Sequence, residues 1–183
     1  MARETIPINK LYKTLFFIAL IVGPIYWLMF TPDGTRRTDS VVLWLAGDTP
    51  IDLNFKILDG RFRVKDWKVV YPDVDWQCSE TTSSALGEFF CYGEIATYNG
   101  IPSRYISVFF VDDVTSAVKL VYRDQYHSEI GRDLTEQLGK ATISTAMGEG
   151  ERVLQWHTDA GMVLISVELQ RGAEGTLMWL PRN

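Results

Sequence analysis

Residues 117–140 read AVKLVYRDQYHSEIGRDLTEQLGK, and within them the hydrophobic period changes. Ala117 to Tyr122 is rich in β-branched and aromatic residues, as a strand requires. From Tyr126 the apolar positions fall at Ile130, Leu134 and Leu138, four apart, which draws one stripe along a helix over about 125–138. Gly139 ends that helix because it accepts the left-handed C-terminal conformation, and Lys140 complements the negative helix end.

Strands flank this helix on both sides. Upstream, Tyr105 to Val111 is strand-like, with Asp112-Asp113 as the turn into Ala117 to Tyr122. The aromatic run from Glu88 to Thr97 leads into Tyr98-Asn99-Gly100, and Asn-Gly is a strong hairpin cue. Pro102 sits where a strand start tolerates a missing donor. Still earlier, Ile51 to Ile57 alternates apolar and polar strictly, which predicts a strand followed by a tight turn at Asp59-Gly60. The stretch 61–72, with Phe62, Trp67, Val70 and Tyr71, fits either a short helix or a bulged strand. Downstream, Val153 to Trp156, Met162 to Leu169 and Thr176 to Leu180 form another meander, divided by Gly161 and by Gly172 to Gly175. Strands, helix, then strands predicts an α+β domain: an antiparallel sheet meander with one packed helix, over residues 41–183. No segment recurs at a fixed period, which leaves a solenoid or propeller without support.

Ahead of this domain, residues 11–30 read LYKTLFFIALIVGPIYWLMF with Lys13 as their one charge. Twenty residues rising about 1.5 Å each match a hydrocarbon core of roughly 30 Å. Tyr12, Tyr26 and Trp27 suit the interfacial belts, and Gly23-Pro24 predicts a kink. The uncharged core is longer than a usual signal-peptide apolar region, and Met29 to Asp33 offers no small-residue cleavage site. The expectation is a retained transmembrane signal anchor, with residues 1–10 as a short cytoplasmic N-terminus and the Pro- and Gly-containing 31–40 as a linker. Arg3, Lys10 and Lys13 against Arg36 and Arg37 place the N-terminus inside. The main domain is then periplasmic or extracellular.

Composition narrows the function. A chain of 183 residues, 46% hydrophobic and 13% aromatic, is able to bury a core, so disorder is excluded as its default state. The net charge of −5 opposes a nucleic-acid surface, which needs clustered Lys and Arg to neutralise phosphates. Cys78 and Cys91, the two cysteines, are predicted to form a disulfide in an oxidising compartment, with two buried free thiols as the plainer alternative. No CxxC occurs, and His127 and His157 are far apart in sequence, so no metal site is expected.

Chemistry-bearing motifs are weak throughout. There is no GxSxG elbow. His157-Thr158-Asp159 falls in an expected turn and His127 in the first helical turn, where structural roles prevail. Gly148-Glu149-Gly150-Glu151 lacks the third glycine of a phosphate loop and carries the wrong charge. Asp73-Val74-Asp75 opens like a calcium loop, but Cys78 and Ser84 occupy positions that need Gly and Glu. Asp112 and Asp113 are adjacent and point to opposite faces of a strand. No enzyme and no cofactor are expected.

Six tryptophans remain to be explained. Trp67, Trp76, Trp156 and Trp179 are candidates for an apolar binding face, with core packing as the commoner fate of such side chains. The expected function is an anchored extracytoplasmic interaction domain, an accessory or assembly subunit that binds another envelope protein. The alternative is a small-ligand sensor or carrier with a pocket between sheet and helix, lined by Phe89, Phe110, Trp156 and Trp179.

Overall fold

A computed structural model describes residues 8–46, 49–81, 84–145 and 152–182. By its internal contacts the chain divides into two units, Met1–Val42 and Leu43–Asn183.

The first unit is helical. Helix α1 runs from Ile8 to Phe30 and continues through Pro24. Within it, Lys10–Phe30 is long and apolar enough to cross a membrane, and its side chains are exposed. The expected linker is instead the start of a second helix, α2, from Pro32 to Ala46. Thr31 joins the two helices: its hydroxyl donates to the Trp27 carbonyl at 2.7 Å and accepts the Gly34 amide at 3.1 Å, the N-cap interaction of α2. Pro32 therefore stands at a helix start, where its missing donor is harmless. Gly34 is required by contact, because a Cβ there would lie 2.1 Å from the Trp27 carbonyl oxygen.

The second unit is α+β, built on one mixed ten-stranded sheet. Its strands are β1 (Thr49–Ile51), β2 (Gln77–Glu80), β3 (Phe89–Tyr98), β4 (Ile101–Pro102), β5 (Tyr105–Val111), β6 (Val114–Arg123), β7 (Thr142–Thr145), β8 (Arg152–His157), β9 (Gly161–Ser166) and β10 (Glu174–Pro181). The main path is β1-β3-β5-β6-β10-β9-β8-β7, with β2 and β4 also on β3. Eight of the nine strand pairs among the described residues are antiparallel, and tight turns join β3/β4, β5/β6 and β8/β9. At both β3/β4 and β5/β6 the turn residues have positive φ: Asn99 at 47° and Gly100 at 75°, then Asp112 at 50° and Asp113 at 64°. The sheet departs from the expected antiparallel meander twice: β10, not β7, lies beside β6, and at the edge β1 runs parallel to β3.

Helix α4 (His127–Leu138) follows β6 through a 3-10 turn at Asp124–Tyr126, within about two residues of the periodicity. Ile130 and Leu134 are its buried stripe, and Gly139, at φ 87°, ends it. The ambiguous 61–72 segment resolves as helix α3 (Val64–Val70), whose Asp66 carboxylate accepts the Arg63 amide at 2.9 Å as one half of a capping box.

The Ile51–Ile57 strand is a correction. Burial does alternate from Ile51 to Phe55, yet β1 ends at Ile51 and the chain turns after Asn54, whose side-chain oxygen accepts the Lys56 amide at 2.9 Å. Leu53 finds no ladder partner. Its amide donates to Asn99 Oδ1 at 2.9 Å, and its carbonyl accepts from Asn99 Nδ2 at 3.2 Å. The alternation recorded an extended path across the core, with one side-chain amide standing in for a neighbouring strand.

Candidate interaction face

Strand register sorts the sheet into two faces. One row runs Cys78, Cys91, Val108, Val118, Trp179, Val163, Trp156 across seven strands. All but Cys78, which is half-buried, lie in the core. This is the covered face. Cys78 and Cys91 stand directly opposite each other in the β2/β3 ladder and are joined by a disulfide.

The covering layer is pinned by tryptophans. Trp67 of α3 donates to the Thr115 hydroxyl at 3.0 Å, which itself donates to the Phe62 carbonyl at 2.7 Å. Trp156 donates to the Gly139 carbonyl at 3.0 Å and so ties β8 to the end of α4. Trp179 is fully buried with no acceptor for its indole nitrogen. Of the four candidate face residues, Trp67, Trp156 and Trp179 therefore belong to the core. Trp76 is half-buried, donates to the Tyr71 carbonyl at 3.1 Å, and meets Trp67 edge-on at 6.2 Å. The side chain of Trp44 lies outside the described residues. The proposed aromatic pocket is likewise a packed region, since Phe110, Trp156 and Trp179 are fully buried and only Phe89 is part-exposed.

The histidines and acidic motifs are not brought together. His127 stacks on Tyr122, with its Nδ1 2.9 Å from the tyrosine hydroxyl. His157 is exposed and lies 3.0 Å from the Gln155 amide. Asp112 and Asp113 form a turn, and Gly148 to Glu151 lie outside the described residues. Among the described residues, no three His, Cys, Asp or Glu side chains are grouped to hold a metal ion.

A polar cluster that the sequence did not single out joins α4 to the sheet. Gln137 donates to Asp133 Oδ2 at 2.6 Å and to the Tyr98 hydroxyl at 3.3 Å, and Asn99 donates to the same Asp133 oxygen at 3.2 Å. Burial, reinforced by the Asp133 charge, holds the Tyr98 phenol far above its ordinary range. Burial likewise raises Tyr122, and pushes Tyr71 up to about 12. Asn99, Asp133, Gln137 and Tyr98 are spent on holding Leu53, the end of β3 and α4 together.

The second face is different. In β9 and β10, buried residues alternate with part-exposed ones, and the part-exposed set is Met162, Leu164, Ser166, Thr176, Met178, Leu180 and Pro181. Register continues this face through Lys119 and Ser107 to Tyr92. At that end Phe90 stacks on Tyr92 at 6.4 Å and on Phe109 at 5.9 Å. A cavity of about 590 Å³ opens at one end of the face, lined by Leu86, Val111, Val114, Met162, Leu180 and Pro181, among others. Alternation along each strand is the sequence signal for this face, and it is plain in Gly161 to Ser166 only once the partner strands are known. No known family, curated protein or solved structure matches this chain.

Proposed function

We propose that this chain is a membrane-anchored accessory subunit that docks another envelope protein through the open face of its sheet. Helix α1 is the anchor, with the N-terminus cytoplasmic by its flanking charge, and the α+β unit lies outside. The disulfide supports an oxidising compartment for that unit. The observation that carries the reading is a sheet face on which Phe90, Tyr92, Phe109, Met162, Leu164, Met178 and Leu180 are part-exposed around Lys119, with Ser107, Ala117 and Val121 buried between them, and whose reverse side is a closed core. Contiguous apolar surface of this kind on a folded domain marks interaction sites. Binding rather than catalysis is assigned because the clustered polar groups are engaged in holding the fold.

Mild detergent extraction followed by native mass measurement tests this. The wild type is expected in a complex heavier than its own oligomer, and Phe109→Asp with Met178→Asp is expected to release it while circular dichroism stays unchanged. A wild type that runs as a lone monomer overturns the reading. The cavity beside Leu86 favours a second reading, small-ligand binding, since about 590 Å³ is within the range of ligand sites. A thermal-shift screen with lipids, glycans and metabolites that raises the melting temperature would favour it.

A further inference from the structure

We infer that the partner presents an apolar protein segment bearing a carboxylate that seats on Lys119. The inference rests on the open face being the docking surface, and it names the chemistry of what docks there. Lys119 stands in the middle row of that face, directly between Ser107 and Met178. Tyr92 lies one strand further on one side, and Leu164 on the other. Other charges lie at one end, where Arg104 and Glu174 pair with each other at 2.5 Å. Among the described residues no carboxylate pairs with Lys119.

Covering this face strips water from an ammonium that stands between Ser107 and Met178 and has no charged partner among the described residues. The loss is offset most fully where the covering surface supplies an anion, which both accepts the ammonium's hydrogen bonds and neutralises its charge. That condition selects among occupants. A second copy docked face to face would bring another Lys119 into the same layer, and like charges repel there. A free small carboxylate needs a concavity that encloses most of its surface, whereas Lys119 lies on an open sheet away from the cavity by Leu86. A protein segment fits the dimensions. The five strands of the face, about 4.8 Å apart and about 20 Å long, present roughly 480 Å² per partner. The total of about 960 Å² is the size of a weak, transient interface. The segment would place apolar side chains over Phe109 and Met178 and an Asp or Glu between them.

The test uses the full chain in lipid nanodiscs and a displayed random-peptide library as the probe. Selected peptides are expected to be apolar with a central Asp or Glu, and changing that residue to its amide is expected to weaken binding roughly tenfold or more. The preference should vanish with Lys119→Gln and reverse with Lys119→Glu, which should favour a peptide carrying Lys instead. Circular dichroism confirms that each variant is folded. Peptides that need Phe109 and Met178 but ignore the Lys119 variants overturn the carboxylate assignment and leave the docking face standing. Peptides indifferent to Phe109→Asp and Met178→Asp, or no selected peptide at all, overturn the face and this inference with it.

Discussion

Reduction of the Cys78–Cys91 disulfide is expected to free strand β2 while the rest of the sheet stays folded. The bond joins residues 13 apart, and loop-closure entropy assigns such a bridge about 3 kcal/mol. β2 has little else to hold it: of its four residues only Cys78 is part-buried, and β3 is its one neighbour. β3 keeps its full ladder with β5 from Phe89 to Glu94. If the oxidised strand unfolds only with the whole domain, about 3 kcal/mol corresponds to a melting-temperature loss of roughly 6–12 °C on reduction for a domain of this size. Scanning calorimetry on oxidised protein, reduced protein and the Cys78→Ala/Cys91→Ala double variant reads that loss. Hydrogen exchange reads its location: amides of 77–80 should lose protection, while those of β5 and β6 keep it. Unchanged melting on reduction would refute the reasoning. Protection lost evenly across β5 and β6 would refute it differently, by showing that β2 is not a separable strand.

Further outcomes follow from particular contacts. Trp156→Phe should destabilise more than Trp179→Phe, by about 1 kcal/mol in urea unfolding, because Trp156 loses a hydrogen bond to the Gly139 carbonyl while Trp179 has none to lose. Stability should fall as pH rises above about 10, the ionisation of an unfolded tyrosine, and continue falling to about 12 for Tyr71, since raised phenol pKa values favour the folded state only below the unfolded value. Tyrosinate absorbance should rise together with unfolding, and Tyr71→Phe should make the alkaline loss shallower. Leu20→Arg with Ile21→Arg should release the protein from membranes in an alkaline carbonate wash, because each central arginine opposes insertion by about 2.5–3.5 kcal/mol.

What the sequence discloses depends on where the determining interaction lies. Helix α4 was legible because Tyr126, Ile130, Leu134 and Leu138 share one stripe and Gly139 marks its end, both local signals. The turns at Asn99-Gly100 and Asp112-Asp113 were legible for the same reason. β7, with its Thr-Ile-Ser-Thr sequence, is mostly exposed and exists through its pairing with β8, so no local pattern announces it. The parallel placement of β1 is set by β3, more than forty residues on, which also explains why the alternation from Ile51 to Phe55 suggested too long a strand. At the functional level, aromatic content suggested an apolar surface at Trp67, Trp76, Trp156 and Trp179, and burial puts three of these, Trp67, Trp156 and Trp179, in the core. Trp67, Trp156 and Trp179 are large enough to fill the covered side, and the open side uses Phe90, Tyr92, Phe109, Met178 and Leu164. Tryptophan count reports apolar area, and only strand register assigns that area to a face.

The central claim, docking through the open sheet face, is tested most directly by photocrosslinking in native membranes. A photoreactive residue placed at Phe109, Leu164 or Met178 is expected to give one discrete crosslinked product, and the same residue at exposed Glu136 on α4 is expected to give none. Crosslinks at Glu136 with none at Phe109, Leu164 and Met178 would contradict the account.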